Sequence, residues 1–214
     1  MTGLLFDLDG TLLDTLQDLM DSLNHVLAQF GYPTRTQEET RCFVGNGVSM
    51  LIRRAIPEDA ELQPVLDAFR AHYQTHCRVR TGPYPGIPEA LAELKESYPI
   101  AVVSNKPDPA VKALCADFFP GIFALGESPD CPRKPAPDMV TKAMAAIGVD
   151  RCIYVGDSEV DVATAKNAGV PCLSVTWGFR SEAEIRAAGG EFFCNDPRQL
   201  PEAIKTILRN EYGK

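Results

Sequence analysis

Four carboxylates, one hydroxyl and one lysine occupy positions from which a hydrolytic site can be assembled. Asp7-Leu8-Asp9-Gly10-Thr11 sets two aspartates one residue apart, directly after a short apolar run. Ser104-Asn105-Lys106 follows a second such run, and Gly156-Asp157-Ser158-Glu159-Val160-Asp161 follows a third. Arg133-Lys134-Pro135 lies ahead of the helix that feeds the third run. Carboxylates gathered in one cleft repel each other unless a cation joins them. Mg²⁺ is the natural cation, because it takes oxygen ligands in octahedral geometry and keeps several waters. A phosphate dianion then becomes tolerable, with Lys134 placing positive charge on its oxygens. Ser104 and the backbone N–H groups after Asp9 are expected to donate hydrogen bonds to it. Paired aspartates suggest two tasks. One carboxylate can attack phosphorus, and the other can protonate the leaving alcohol and then activate water.

Such residues converge only if the chain builds a scaffold that brings them together. Leu4–Leu8 reads as a buried first strand. Residues 16–30 carry Leu16, Leu19, Met20, Leu23, Val26, Leu27 and Phe30 at helical spacing, closed by Gly31 and Pro33. Helices are predicted at Gln37–Val44, Val48–Ala55 and Leu62–Cys77, with no convincing strand among them. After the turn-rich Thr81–Gly86 the rhythm becomes strand–helix. Strands are predicted at Ile100–Val103, Ile122–Leu125, Cys152–Val155, Cys172–Val175 and Phe192–Cys194. Helices are predicted at Pro88–Ser97, Pro109–Phe118, Pro137–Ile147, Glu159–Asn167, Ser181–Ala188 and Leu200–Leu208. Alternation of this kind implies right-handed βαβ crossovers. The expected class is α/β: a Rossmann-like, doubly wound parallel sheet (1–14 and 82–214) interrupted by a small helical cap (15–81). In such sheets ligands bind beyond the carboxyl ends of the strands, near the point where strand order reverses. Each chemical segment lies at one of those ends or feeds one. Singly, each reads as a turn, a solvated loop or a helix start. Their joint order is the signal.

The chain has 214 residues, is 45% apolar and carries a net charge of −8. That length suits one sizeable core, or one core plus a small second unit. The acidic balance argues against a nucleic acid or an anionic membrane as partner, and leaves a small phosphorylated metabolite. No signal peptide and no membrane span are expected. The seven cysteines are scattered, with no C-x-x-C pair, and read as reduced thiols of a cytoplasmic protein. The three histidines do not cluster as zinc ligands in sequence, and His25 reads as a plain helix residue. Monomer and homodimer both remain open.

These motifs resemble the haloacid dehalogenase superfamily along the whole chain. Asp7 through Leu12 looks like its first motif, Val103-Ser104-Asn105 its second, Lys134-Pro135 its third, and Gly156-Asp157 through Asp161 its fourth. The resemblance implies Asp7 as nucleophile and Asp9 as general acid/base. It implies Mg²⁺ held by the Asp7 carboxylate, the Asp9 backbone carbonyl and the Asp157 carboxylate, with Asp161 supporting the metal site from behind or contacting Lys134. Thr11 and Asn105 are expected to contact substrate. Val44-Gly45-Asn46-Gly47 with Arg54, Tyr84-Pro85-Gly86 and Thr176-Trp177-Gly178-Phe179 resemble the phosphoglycolate phosphatase group of that superfamily. On that basis Gly45, Asn46, Gly47 and Arg54 are cap residues expected to meet substrate. The alternative for the first three is a helix–helix turn, and for Arg54 a solvated helix face. The loop is no P-loop, since it lacks the G-K-[ST] ending.

The expected activity is hydrolysis of a phosphate monoester, 2-phosphoglycolate first, through an aspartyl phosphate. Pyrophosphate or nucleoside monophosphate hydrolysis and phosphosugar mutation use the same core residues. A dehalogenase would need neither the metal nor the second aspartate. A phosphonatase of the imine-forming kind needs a cap lysine, and the first lysine of the chain is Lys95. A non-catalytic regulator would be expected to lack a motif residue, and none is missing.

Overall fold

The computed structural model describes residues 1–213. In chain order the elements are β1 (Thr2–Phe6), β2 (Leu13–Asp14), α1 (Leu16–Gln29), α2 (Gln37–Phe43), α3 (Val48–Ala55), α4 (Leu62–His76), β3 (Gly82–Pro83), α5 (Ile87–Lys95), β4 (Ile100–Pro107), α6 (Asp108–Phe118) and β5 (Phe123–Glu127). There follow α7 (Asp138–Ala146), β6 (Arg151–Gly156), α8 (Glu159–Ala168), β7 (Cys172–Val175), α9 (Glu182–Ala187), β8 (Phe192–Cys194), a 3₁₀ turn at Pro197–Gln199 and α10 (Leu200–Tyr212). Contacts divide the chain into two units, Met1–Leu13 with Pro83–Lys214, and Asp14–Gly82.

In the first unit, six strands form one sheet in the order β5-β4-β1-β6-β7-β8. Every pairing is parallel, with Leu4 opposite both Ile100 and Ile153. Strand β1 is therefore central, and strand order reverses there: the chain passes to β4 and β5 on one side and returns to β6, β7 and β8 on the other. Both faces are buried, which is why the strands read as unbroken apolar runs rather than alternating ones. Leu4, Phe6, Val102, Ile153 and Val155 belong to one core cluster with side chains of α5, α6 and α10. Leu5, Ala101, Val103, Cys152 and Tyr154 belong to the other, with Met139, Val140 and Ala143 of α7 and Ala165 of α8. Truncating a side chain such as the fully buried Phe6 to alanine costs about 3–5 kcal/mol.

In the second unit α1 contacts α2 and α4, and α3 contacts α2 and α4. Leu19, Leu23, Val26, Ile52, Val65, Leu66 and Phe69 are buried on their inward faces. Helix α2 begins with a capping box, in which Thr36 accepts from Glu39 N and Glu39 accepts from Thr36 N. Buried Asp18 of α1 accepts from the N–H groups of Val79, Arg80 and Thr81 at 2.9–3.0 Å. One carboxylate thus fastens the segment that leaves the helical unit.

Element boundaries differ from expectation at two functional places. Strand β4 continues to Pro107 rather than stopping at Val103, so Ser104, Asn105 and Lys106 lie on the strand itself. Its pairing with β5 shifts register between Val103 and Pro107, an irregularity that the apolar pattern does not announce. Strand β1 ends at Phe6, so Asp7 is the first residue beyond it.

Candidate active site

Asp7 leaves β1 with its N–H donating to Val155 O at 2.8 Å, which ties it to β6. The next residues close into a tight loop. Leu8 O accepts from the N–H groups of Thr11, Leu12 and Leu13 at 3.3, 3.0 and 3.0 Å, and Gly10 N–H donates to Leu13 O at 2.9 Å. Gly10 adopts φ +84°, and a Cβ there would lie 2.4 Å from Asp157 Oδ2. Only glycine meets both demands. The N–H groups of Gly10 and Thr11 therefore close this loop.

Lys134 is buried, and its Nζ lies 2.9 Å from Asp7 Oδ1 and 2.8 Å from Asp161 Oδ1. Nζ also donates to Tyr154 Oη at 3.0 Å, and Tyr154 Oη donates to Asp161 Oδ1 at 3.2 Å. Burial would lower the Lys134 pKa, but the Asp161 and Asp7 carboxylates outweigh it and hold the pKa well above the usual lysine value. Asp161 Oδ2 accepts from Asp157 N, Ser158 N and Ser158 Oγ at 3.2, 3.1 and 2.6 Å. It thereby serves the first turn of α8 and the lysine at once. The Lys134 backbone is fixed by Asn105, whose Oδ1 accepts from Lys134 N at 2.8 Å and whose Nδ2 donates to Lys134 O at 3.0 Å.

Asp157 stands at the end of β6. Its Oδ1 accepts from Thr11 Oγ1 at 3.1 Å and its Oδ2 from Phe179 N at 2.7 Å. Trp177 Nε1 donates to Thr11 O at 3.0 Å, and the Gly178 Cα approaches so closely that a Cβ there would lie 2.4 Å from Asp157 Oδ2. Thr11 thus supports Asp157, and Asn105 supports Lys134. Ser104 is buried beside them, and its Oγ accepts from Lys106 N at 3.2 Å. Its hydroxyl proton is still available to donate.

Asp9 has a different cation. Lys106 Nζ lies 2.7 Å from Asp9 Oδ1, with the lysine side chain 3% exposed and the aspartate 14%. Lys106 was not among the residues singled out from sequence, nor was Tyr154. A strand running through Pro107 would have revealed Lys106, since residues two apart share a face and Ser104 had been chosen. Nothing in the sequence distinguishes Tyr154 from an ordinary core aromatic.

Fully ionised, the four carboxylates (Asp7, Asp9, Asp157, Asp161) would exceed the two ammonium groups (Lys106, Lys134) by two negative charges. Burial raises the Asp7 carboxyl to about 7, with Lys134 opposing and Asp161 adding to the rise. Burial likewise holds Asp157 well above the carboxylate range, helped by Asp161 and Asp7. Asp7, Asp157 and Asp161 each place a carboxylate oxygen within 4.8 Å of the other two. Both Asp161 oxygens are already committed, whereas each Asp157 oxygen accepts one hydrogen bond and keeps a lone pair. Among these three carboxylates, Asp7 and Asp157 are therefore the ones with lone pairs left for a cation. Their hard oxygen atoms and the uncompensated charge suit a divalent cation.

Gly45, Asn46, Gly47 and Arg54 lie in the helical unit. Arg54 Nη1 donates to Phe43 O at 2.9 Å and Nη2 to Asn46 Oδ1 at 2.8 Å. The guanidinium thus ties the glycine loop to the end of α2.

Comparison with known proteins adds a further line. Residues 4–175 match the family model for haloacid dehalogenase-like hydrolases. The chain is similar to a phosphoglycolate phosphatase of Cereibacter sphaeroides, at 37% identity over 97% of this chain and 100% of that protein. It is 34% identical to a phosphoglycolate phosphatase of Pseudomonas syringae pv. tomato over 92% of this chain and 77% of that one. A crystal structure from Lactobacillus delbrueckii subsp. bulgaricus, described as a candidate phosphoglycolate phosphatase, superposes with a TM-score of 0.90. That pair shares 38% identity and covers 94% and 97% of the two chains.

Proposed function

The chain belongs to the haloacid dehalogenase-like hydrolase family, and from that premise we propose that it is a Mg²⁺-dependent phosphatase acting on a small phosphate monoester, 2-phosphoglycolate foremost. The observation that carries this reading is the buried Lys134 ammonium, 2.9 Å from Asp7 and 2.8 Å from Asp161, with the separately held Asp9 two residues beyond Asp7. The relatives named phosphoglycolate phosphatase support the substrate.

In this mechanism an Asp7 carboxylate oxygen attacks phosphorus. The bond from phosphorus to the ester oxygen breaks, and its electron pair stays on that oxygen, which takes a proton from Asp9. Asp9, now a carboxylate, accepts a proton from water as the water oxygen attacks phosphorus. The Asp7–phosphorus bond breaks, which restores Asp7 and releases phosphate. Lys134 and the Ser104 hydroxyl neutralise charge on the phosphoryl oxygens. Mg²⁺, held by the Asp7 and Asp157 carboxylates and the Asp9 backbone carbonyl, would supply further charge neutralisation at those oxygens. Asp161, Asn105, Thr11 and Tyr154 hold these groups in register. In the helical unit Gly45, Asn46, Gly47 and Arg54 are proposed substrate contacts. Arg54→Ala is expected to raise KM more than it lowers kcat. A cytoplasmic location is supported by the seven cysteines, which form no disulfide with one another.

The test is a panel of 2-phosphoglycolate, pyrophosphate, nucleoside monophosphates and β-glucose 1-phosphate, each with and without Mg²⁺. The highest kcat/KM is expected for 2-phosphoglycolate. Asp7→Asn should abolish turnover while leaving the circular dichroism spectrum intact. Near-normal activity of that variant, or full activity without a divalent cation, would overturn the mechanism. A higher kcat/KM for another panel member would transfer the substrate assignment to it.

A further inference from the structure

The two ammonium groups of the site are not interchangeable: Lys134 serves Asp7 and Asp161, and Lys106 serves Asp9. We propose that Lys106 is a positioning residue that orients the Asp9 carboxyl toward the leaving oxygen, and that this is what lets the site cleave esters of strongly basic, unactivated alcohols. The inference rests on the reading of Asp7 as nucleophile and Asp9 as proton donor.

The geometry supports it on both sides of the pair. Lys106 lies on strand β4, where its N–H donates to Ser104 Oγ at 3.2 Å and its carbonyl is close to Gly126 of β5. A Cβ on Gly126 would lie 2.7 Å from Lys106 O and 2.4 Å from Asp108 Cα, so only glycine lets β5 approach the strand end at Lys106 this closely. Asp9 is turned by its carboxylate rotation alone once its backbone lies in the tight loop. Its Oδ1 is pinned by the 2.7 Å contact, which leaves Oδ2 as the oxygen to meet the leaving group. The proton moves from Oδ2 to the ester oxygen as the phosphorus–oxygen bond to that oxygen breaks. A leaving group that departs readily as an anion needs this proton little, whereas an alkoxide needs it greatly.

Leaving-group dependence therefore separates positioning from packing. Lys106→Met, Lys106→Gln, Lys106→Arg and Asp9→Asn are compared with the parent enzyme in Mg²⁺ on 4-nitrophenyl phosphate, ethyl phosphate and 2-phosphoglycolate. The ratio of kcat/KM for 4-nitrophenyl phosphate to that for ethyl phosphate is expected to rise about 100-fold in Lys106→Met and Lys106→Gln, in the range attributed to one proton donor. Asp9→Asn should show the same pattern, and Lys106→Arg should restore most of the ratio. An unchanged ratio, whether activity falls or not, would reduce Lys106 to packing and overturn the proposal. A loss confined to 2-phosphoglycolate would also overturn it, because Lys106 would then be meeting the substrate carboxylate. Failure of the underlying reading is visible separately, as Asp7→Asn retaining turnover on all three esters.

Discussion

Lys134 Nζ and Asp161 Oδ1 meet at 2.8 Å where both side chains are almost wholly buried. The aspartate is a first-turn acid of α8 and the lysine comes from the loop before α7, so this contact, with the Asn167 Nδ2 bond to Pro135 O at 2.8 Å, joins the two segments behind Asp7. Buried ion pairs gain little over an apolar pair, but breaking one from a single side is costly. Asp161→Asn is therefore expected to lower unfolding free energy by about 3 kcal/mol, read from urea denaturation. An unchanged midpoint would show that the pair braces nothing.

A second expectation follows from Asp7, whose carboxyl burial raises to about 7 from an ordinary value of 3.8. The folded metal-free protein thus takes up a proton on Asp7 between those values. The resulting stability is present in full below about 3.8 and is lost as pH rises through about 7. The melting temperature of metal-free protein, relative to that of Asp7→Asn, should fall between pH 5.5 and pH 7.5 (~2 units spanning the upper part of that window). Mg²⁺ should raise it more at the higher pH, where the carboxylate is free to bind. Parallel curves for the parent and Asp7→Asn would contradict the buried-carboxyl account.

The backbone that surrounds Asp157 leads to a third. Gly178→Ala would put a methyl 2.4 Å from Asp157 Oδ2 and from Gly10 O, so the carboxylate must move. Displacing a ligand's surroundings typically costs about 10–100-fold in metal affinity. Calorimetric titration with Mg²⁺ should show a loss in that range with secondary structure preserved. An affinity equal to the parent's would remove Gly178 from the site.

In the helical unit, Asp18→Ala takes away the acceptor of three backbone N–H groups at Val79, Arg80 and Thr81. Bonds to a charged acceptor contribute about 1.5–3 kcal/mol each, and the stranded donors add a penalty partly relieved by water. Amide exchange at residues 79–81 should accelerate by at least about 100-fold, equivalent to ~2.7 kcal/mol of lost protection. Exchange rates within about twofold of the parent would mean that the segment is held by other contacts.

The site was legible in unequal parts. Asp7, Asp9 and Asp157 could be picked out because each follows closely on a buried apolar run, where charge is expensive without a task, Lys134 because it precedes the helix that feeds the third run, and Asp161 because it lies in the first turn of the helix that follows that run. The support that Thr11 and Asn105 give within the site was not legible, because hydroxyl and amide groups at a cleft can face either way. Their partners, Asp157 Oδ1 and the Lys134 backbone, lie 146 and 29 residues distant, beyond any local pattern. Lys106 was passed over because the strand seemed to end at Val103. The register shift of β4 against β5 that accompanies the strand on to Pro107 depends on two strands meeting, and hydrophobic period does not encode it.

By itself the sequence determined the α/β class, the helical insert and the list of acids and lysines, because apolar periodicity and the spacing of charged residues along a chain are local properties. Only the tertiary structure decided which lysine answers which aspartate. Both lysines have the same chemistry, and the difference between Lys134 at Asp7 and Lys106 at Asp9 is one of a few ångströms across neighbouring strand ends. That distance is set by sheet order, strand length and the close backbone approach of Gly10, Gly126 and Gly178, and packing establishes it only once the sheet is complete.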